Sequence, residues 1–197
     1  MEVIRPDQEP DPEALVERSV PIEGTSVRLL NPEDNLLQVC LHTAKHSYVR
    51  EPGFRLHLDV LRILAATDID WQLFADKVKF HRVKTPVYFS LLIPYQLLGA
   101  AVPEAILQEL RPPAWKENFL FAAIQRAGLF NPKERKFTRV EYILFNVLLY
   151  DDLPGLLRGV FPSPQWMKNR YNFSSDFLLP FFYVLRLINL IFRRLKT

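Results

Sequence analysis

Residues 33–46 read EDNLLQVCLHTAKH, residues 55–59 read RLHLD, and residues 68–71 read DIDW. The first two runs lie in two predicted helices, and the third follows the second helix. The fold expected of the chain is built outward from these helices. Asn31 can cap the first helix, Pro32 suits its first position, and the acidic residues that follow lie at the positive end of the helix dipole. The second helix is predicted from about residue 54 to residue 66.

The polar residues of these two helices form a regularly spaced group. His42 and His46 are four residues apart and therefore share one helix face. Arg55, Asp59 and Arg62 line one side of the second helix. We take His42, His46, Arg55 and Asp59 as the candidate site, which either faces a substrate or forms a structural polar network between the helices.

The histidine pair also permits a metal hypothesis. Histidines at this spacing can share one ion, and Asp59 is the candidate third ligand. The glutamate that follows the first histidine in zinc proteases is absent, because Thr43 stands there. The incomplete motif favours the structural network, in which an unpaired buried member would cost about 1–3 kcal/mol. We expect no metal or cofactor in this chain, with a metal-dependent enzyme built on His42, His46 and Asp59 as the alternative.

Two pairs of aspartates resemble metal-binding motifs, but the residues around them do not complete such a motif. Asp68 and Asp70 alternate like the carboxylates that hold Mg²⁺ in nucleotidyl transfer, but no Gly-Ser dipeptide that could cradle phosphate occurs in the sequence. A helical pattern follows Asp70, so a helix cap is the better interpretation. Asp151 and Asp152 are adjacent and precede a Pro-Gly pair, which favours a turn or cap.

The rest of the chain predicts a mainly α protein, a multi-helix bundle with a short N-terminal β-hairpin. Residues 1–18 read as a disordered or short helical lead-in, and residues 19–197 as the hairpin and helical domain, with the hairpin turn at Gly24 and Thr25. Proline and glycine separate the predicted helices, and their short connections favour antiparallel neighbours. The predicted helices are 32–48, 54–66, 70–82, 85–98, 103–110, 114–127, 137–149, 153–160, 163–170 and 175–195.

Composition narrows the functional classes. The sequence is 49% hydrophobic, so it can bury a core. Residues 1–34 hold nine acids and three bases, and residues 35–197 hold thirteen acids and twenty-two bases. The bases are scattered and lack interleaved aromatic residues, so no specific nucleic-acid binding is predicted. The single Cys40 and the acidic, Pro-rich start without a signal peptide predict a cytoplasmic protein.

Residues 177–192 are the most apolar part of the sequence. Pro180, Arg186 and Asn189 interrupt the run, which falls short of the roughly 20 apolar residues that a bilayer-spanning helix needs. A terminal helix docked on the bundle is the favoured interpretation. A basic-flanked helix within residues 176–197 that lies on a membrane surface is the alternative.

Three stretches of the sequence follow one another in a recognisable order. They are RSVPI (18–22) with LLNPED (29–34) and CLHTAKH (40–46); RLHLDVLR (55–62) with DIDW (68–71) and LLG (97–99) before Pro103; and FPSPQW (161–166) with RY (170–171). Together they resemble a bacterial family, the uncharacterised nucleotidyltransferase family of the polymerase-β-like superfamily. The resemblance implies that they form the helical part that follows the catalytic core. His42, His46, Arg55 and Asp59 match the family's pattern.

Complete members of that family resemble enzymes that bind NTP and Mg²⁺ through a Gly-Ser turn and strand-borne carboxylates, none of which this sequence contains. The resemblance therefore implies that the hairpin is a remnant of a larger sheet, and that the chain is truncated or works with another polypeptide. We expect a helical module that completes an acceptor-substrate pocket or contacts a partner. A homodimer through the hairpin edge is a further expectation.

Overall fold

The computed structural model describes residues 12–130 and 134–192 and confirms the mainly α prediction. The elements follow one another in the order α1 (Pro12–Glu17), β1 (Val20–Pro21), β2 (Arg28–Leu29), α2 (Pro32–Lys45), α3 (Arg55–Ala66), α4 (Trp71–Phe80), α5 (Lys84–Leu98), α6 (Glu104–Leu110), α7 (Ala114–Ala127), α8 (Arg139–Leu148), α9 (Leu153–Val160), α10 (Pro164–Tyr171) and α11 (Leu179–Phe192). A short 3-10 segment, Asp176–Leu178, precedes α11.

The helix starts follow the predicted caps. Asn31 Oδ1 accepts the N–H of Asp34 at 2.8 Å, and Asp70 Oδ1 accepts the N–H of Leu73 at 2.9 Å. The cap interpretation of the aspartate pairs is therefore confirmed for Asp70. It is also confirmed for Asp152, whose Oδ1 accepts the N–H of Gly155 at 2.6 Å.

Among the described residues, two helix limits differ from the prediction by more than two residues. The first long helix ends at Lys45 rather than residue 48, because Ser47 and Tyr48 have φ values of 52° and 65°, outside the right-handed helical region. The last helix begins at Leu179, with Pro180 in its first turn, where the missing N–H of proline leaves no helical bond unmade. The predicted end at residue 195 lies outside the described residues.

The hairpin forms where the sequence predicts it. Strands β1 and β2 are antiparallel, with Val20 opposite Leu29 and Pro21 opposite Arg28. Gly24 lies in the turn with a φ of 77°, a conformation that glycine adopts without steric cost.

The described residues form two compact units, residues 12–151 and residues 152–192. In the first unit, α5 lies at the centre of the core, since every residue from Thr85 to Pro94 is buried and the helix packs against α2, α3, α4 and α6. Its first turn is held by Asp151, whose carboxylate accepts the N–H groups of Lys84 and Thr85 at 2.6 and 2.8 Å. Asp151 therefore also caps a helix, one distant in sequence. The predicted boundary at residues 18 and 19 stays a prediction.

The second unit consists of α9, α10 and α11. Arg186 of α11 is fully buried and donates from Nε to the carbonyl of Val160 at 3.1 Å and from Nη2 to that of Gly159 at 2.8 Å. Both acceptors are in the last turn of α9, whose negative dipole end a cation stabilises. Across the part of the chain that the structure describes, no single helix is long and apolar enough to cross a bilayer. The segments 153–171 and 176–190, which meet at an angle of 114°, reach the required length and hydropathy only when they are taken together.

Candidate functional site

The candidate site is built on the connection between α2 and α3. Ser47 and Tyr48 both take the left-handed conformation there, which is uncommon for residues with a Cβ. Tyr48 is nevertheless fully buried, and its hydroxyl donates to the carbonyl of Pro86 on α5 at 3.0 Å. The central helix therefore holds the connection in this conformation from outside.

His57 is the histidine that this connection buries. Its side chain is fully enclosed, and Nε2 lies 2.9 Å from the Tyr48 carbonyl oxygen, so Nε2 carries the proton and donates it. Within residues 12–130 and 134–192, Nδ1 of His57 and the hydroxyl of Ser47 have no hydrogen-bond partner. Burial lowers the pKa of His57, and the bond to the Tyr48 backbone opposes that shift without cancelling it.

His42 and His46 come together as their spacing predicts. Their rings meet edge to face with centroids 4.7 Å apart, and His42 is exposed while His46 is half-buried. Burial and the neighbouring charge of His42 lower the pKa of His46, and a hydrogen bond with the Glu51 backbone opposes them. Burial therefore favours the neutral form of His46.

Arg55 and Asp59 lie on the solvent face of α3. Both side chains are exposed, and Asp59 pairs with Arg62 at 3.6 Å. Such an exposed pair contributes little to stability. Within the described ranges, no three His, Cys, Asp or Glu side chains lie close enough together to hold a metal ion, so the geometry offers the metal hypothesis no support.

His57 is not among the predicted site residues, although the sequence contains a signal for its burial. Leu56, His57 and Val60 are the buried residues of α3 and form one stripe along the helix. Arg55 and Asp59 flank that stripe on the polar side. A histidine that falls in the apolar stripe of a helix is therefore expected to be buried. Polar residues spaced four apart, such as Arg55 and Asp59, instead indicate a solvent-exposed face.

A second polar cluster joins the N-terminal elements to the helices. Asp34 at the start of α2 is almost fully buried, and its carboxylate binds Arg18 at 3.0 Å and Lys77 of α4 at 2.6 Å. Burial raises the pKa of Asp34, but the hydrogen bonds and charges of Arg18 and Lys77 outweigh it, so the net pKa is lowered. Next to it, Glu33 accepts the N–H of Asp70 at 2.9 Å.

The hairpin presents an apolar face that is only partly covered. Val20 lies opposite Leu29, and Ile22 donates its N–H to the carbonyl of Val27 two residues further along, so the four side chains share one face. They are between 37% and 56% exposed. A two-stranded hairpin is marginal in water by itself, and here Arg28 fastens it by donating to the hydroxyl of Ser19 at 2.7 Å.

A family model matches the N-terminal part of the chain. Residues 2–99 match the model of an uncharacterised nucleotidyltransferase family. The match includes the hairpin, the Asp34 cluster and the three histidines of the α2–α3 region. No curated protein and no solved structure matches the chain. Over residues 2–99, the chain belongs to the uncharacterised nucleotidyltransferase family.

Proposed function

We propose that this chain is a helical module of a nucleotidyltransferase-family protein that lacks its own catalytic core and serves the acceptor-substrate or partner-binding side of the reaction. The observation that carries the proposal is the apolar face of the hairpin, which lies within the family match and leaves four apolar side chains between 37% and 56% exposed. Large exposed apolar patches on soluble proteins mark interaction sites. A polypeptide that adds strands or covers this face would supply the missing packing.

The position of the carboxylates supports the same proposal. Metal-dependent nucleotidyl transfer needs acidic side chains on one face of a strand, where they clamp Mg²⁺ and the triphosphate together. The two strands of the described residues, Val20–Pro21 and Arg28–Leu29, carry no acidic residue. Asp70 is occupied as the cap of α4. NTP and Mg²⁺ would therefore bind to the partner and not to this chain.

On the acceptor side, His42, His46, Arg55 and Asp59 are the residues we propose to face a substrate. His42, Arg55 and Asp59 are exposed, and His46 is half-buried. His57 and Tyr48 would hold the connection between the two helices in place beneath them. We further propose a cytoplasmic location, since Cys40 is the single cysteine and is buried in the core.

Calorimetric titration with ATP and MgCl₂ tests whether the chain has a catalytic core of its own. We expect no binding by the isolated chain. Micromolar, Mg²⁺-dependent ATP binding would contradict the proposal. Substitution of Asp68 and Asp70 by Asn would then show whether those carboxylates are responsible.

Site-specific photo-crosslinking in the native cell tests the partner. A photoreactive residue at Val27 on the hairpin is compared with one at Phe80 on α4, which is 82% exposed and serves as the matched control. We expect Val27 alone to crosslink to a polypeptide that contains a Gly-Ser turn and alternate carboxylates. Crosslinks from Val27 to a second copy of this chain would identify a homodimer instead, and identical products from both positions would contradict a specific surface.

A further inference from the structure

The unit formed by residues 152–192 has one face with no polar side chain. Within residues 177–190, a segment described throughout, every exposed residue is apolar: Phe177, Leu178, Pro180, Phe181, Val184 and Ile188. Phe177, Phe181, Val184 and Ile188 recur at intervals of three or four residues, so they form one stripe. Their exposed fractions lie between 45% and 90%.

Arg186 fixes the direction in which this stripe points. Its guanidinium is fully buried, donates to the Gly159 and Val160 carbonyls and lies over the ring of Trp166, with its carbon 4.7 Å from the ring centroid. Val184 and Ile188 are each two residues from Arg186 and therefore project from the opposite side of the helix. Turning the stripe inward would take the guanidinium away from its acceptors, so the apolar face is held outward.

The net charge of this unit indicates which kind of partner can bind the apolar stripe. Residues 152–192 contain four Lys and Arg and two Asp, a net charge of +2, and Arg193, Arg194 and Lys196 follow them in the sequence. The described residues of the other unit, 12–130 and 134–151, contain sixteen bases and sixteen acids. A second copy of such a basic unit would be repelled. An anionic surface would be attracted.

The lack of hydrogen-bonding side chains on this face favours a lipid over a protein as its binding partner. Protein–protein interfaces carry about one hydrogen bond per 100–200 Å². The outward face of α11 offers no polar side chain to make one, and the hydroxyl of Tyr183 is already used on the Pro162 carbonyl at 2.6 Å. Acyl chains need no such partner.

We propose that the outward face of α11 binds the surface of an anionic lipid bilayer, with Phe177, Phe181, Val184 and Ile188 in the acyl boundary and the net positive charge of the unit attracting the anionic headgroups. Such interfacial binding grows with the buried apolar area and with the attraction to anionic lipids. On the inner side of the helix, α10 packs against α11 and Arg186 binds the end of α9. The proposal does not depend on the nucleotidyltransferase role of the other unit.

Co-sedimentation of the full chain with vesicles tests the proposal. The vesicles are phosphatidylcholine alone or phosphatidylcholine with phosphatidylserine at about 3:1. We expect binding to the anionic vesicles, weakened by salt, and little binding to the neutral ones. In the double variant Phe181→Ser and Ile188→Ser, the partition coefficient should fall about tenfold or more.

The matched control is Leu73→Ser with Phe80→Ser, two exposed apolar residues of α4, which should leave the partition coefficient unchanged. No binding of the unaltered chain to anionic vesicles overturns the proposal, as does equal loss in the two double variants. Sedimentation velocity without lipid gives the remaining arm. A dimer that becomes a monomer in the Phe181→Ser and Ile188→Ser variant would identify the face as a contact between copies and overturn lipid binding.

Discussion

The Nε2–H group of His57 donates to the carbonyl oxygen of Tyr48 at 2.9 Å, and this bond fastens the first turn of α3 to the connection that follows α2. Tyr48 in turn reaches the central helix through its hydroxyl. The left-handed backbone at residues 47 and 48 is thus held by a buried polar contact on each side.

Replacement of His57 by Ala should destabilise the first unit strongly. The substitution removes a fully buried ring and leaves the Tyr48 carbonyl without this donor, for a loss of about 2–4 kcal/mol in the free energy of unfolding. Urea denaturation followed by circular dichroism measures it. The matched control is His42→Ala, at an exposed position, which should change the unfolding midpoint little. If the two variants lost equal stability, the structural role given to His57 would be wrong.

Stability should also fall in mild acid. Burial lowers the pKa of His57 below 6.5, and the pKa values of His46 and His81 are lowered in the same direction. Above about pH 7 the imidazoles are neutral in both states. As the pH drops through 6.5, the unfolded chain binds protons that the folded chain resists, so the free energy of unfolding decreases until the lowered folded-state pKa values are passed.

Urea midpoints between about pH 8 and pH 5 measure this effect. The variant His57→Gln keeps a donor for the Tyr48 carbonyl but cannot be protonated, so its stability should decline less steeply over the same range. A stability that is constant or rises toward pH 5 would contradict the assignment of a neutral, buried His57.

The helices could be predicted because their signals are local. Asn31, Asp70 and Asp152 act as caps within three residues of their own position, and prolines and glycines punctuate the chain. The buried polar contacts could not be predicted in this way, because they depend on pairs distant in sequence. Asp151 caps α5 from a position 67 residues from Lys84. The bond between Lys77 and Asp34 spans 43 residues, and no spacing rule connects such positions.

Substitution of Asp34 tests a cluster of which the sequence predicts only the acidic residues at the positive end of the α2 dipole. Asp34→Ala removes the carboxylate that Lys77 and Arg18 share, and Lys77 is itself only 14% exposed. The expected loss is about 2–3 kcal/mol, below the full value for a buried pair because Arg18 is partly exposed to water. The control is Asp76→Ala, whose carboxylate is exposed and should contribute little. Equal effects in chemical denaturation would argue against a specific role for Asp34.

Arg186 allows a prediction about a buried charge whose guanidinium touches carbonyls and an indole ring. Its Nη1 finds no acceptor among the described residues, so part of its desolvation cost is not offset. Methionine would lose two hydrogen bonds but also remove the charge. Lysine would keep a charge in the same place, with fewer donors and without the planar stacking over Trp166. We therefore expect Arg186→Lys to be less stable than Arg186→Met by about 1 kcal/mol or more.

Thermal denaturation followed by the fluorescence of Trp166 measures the difference between the two variants. Trp71 and Trp115 are replaced by Phe in both variants and in the reference chain, which keeps Arg186. A lysine variant as stable as the reference chain would contradict the prediction, because it would show that the site accepts any cation. The two hydrogen bonds from the Arg186 guanidinium to α9 would then not set the direction of α11.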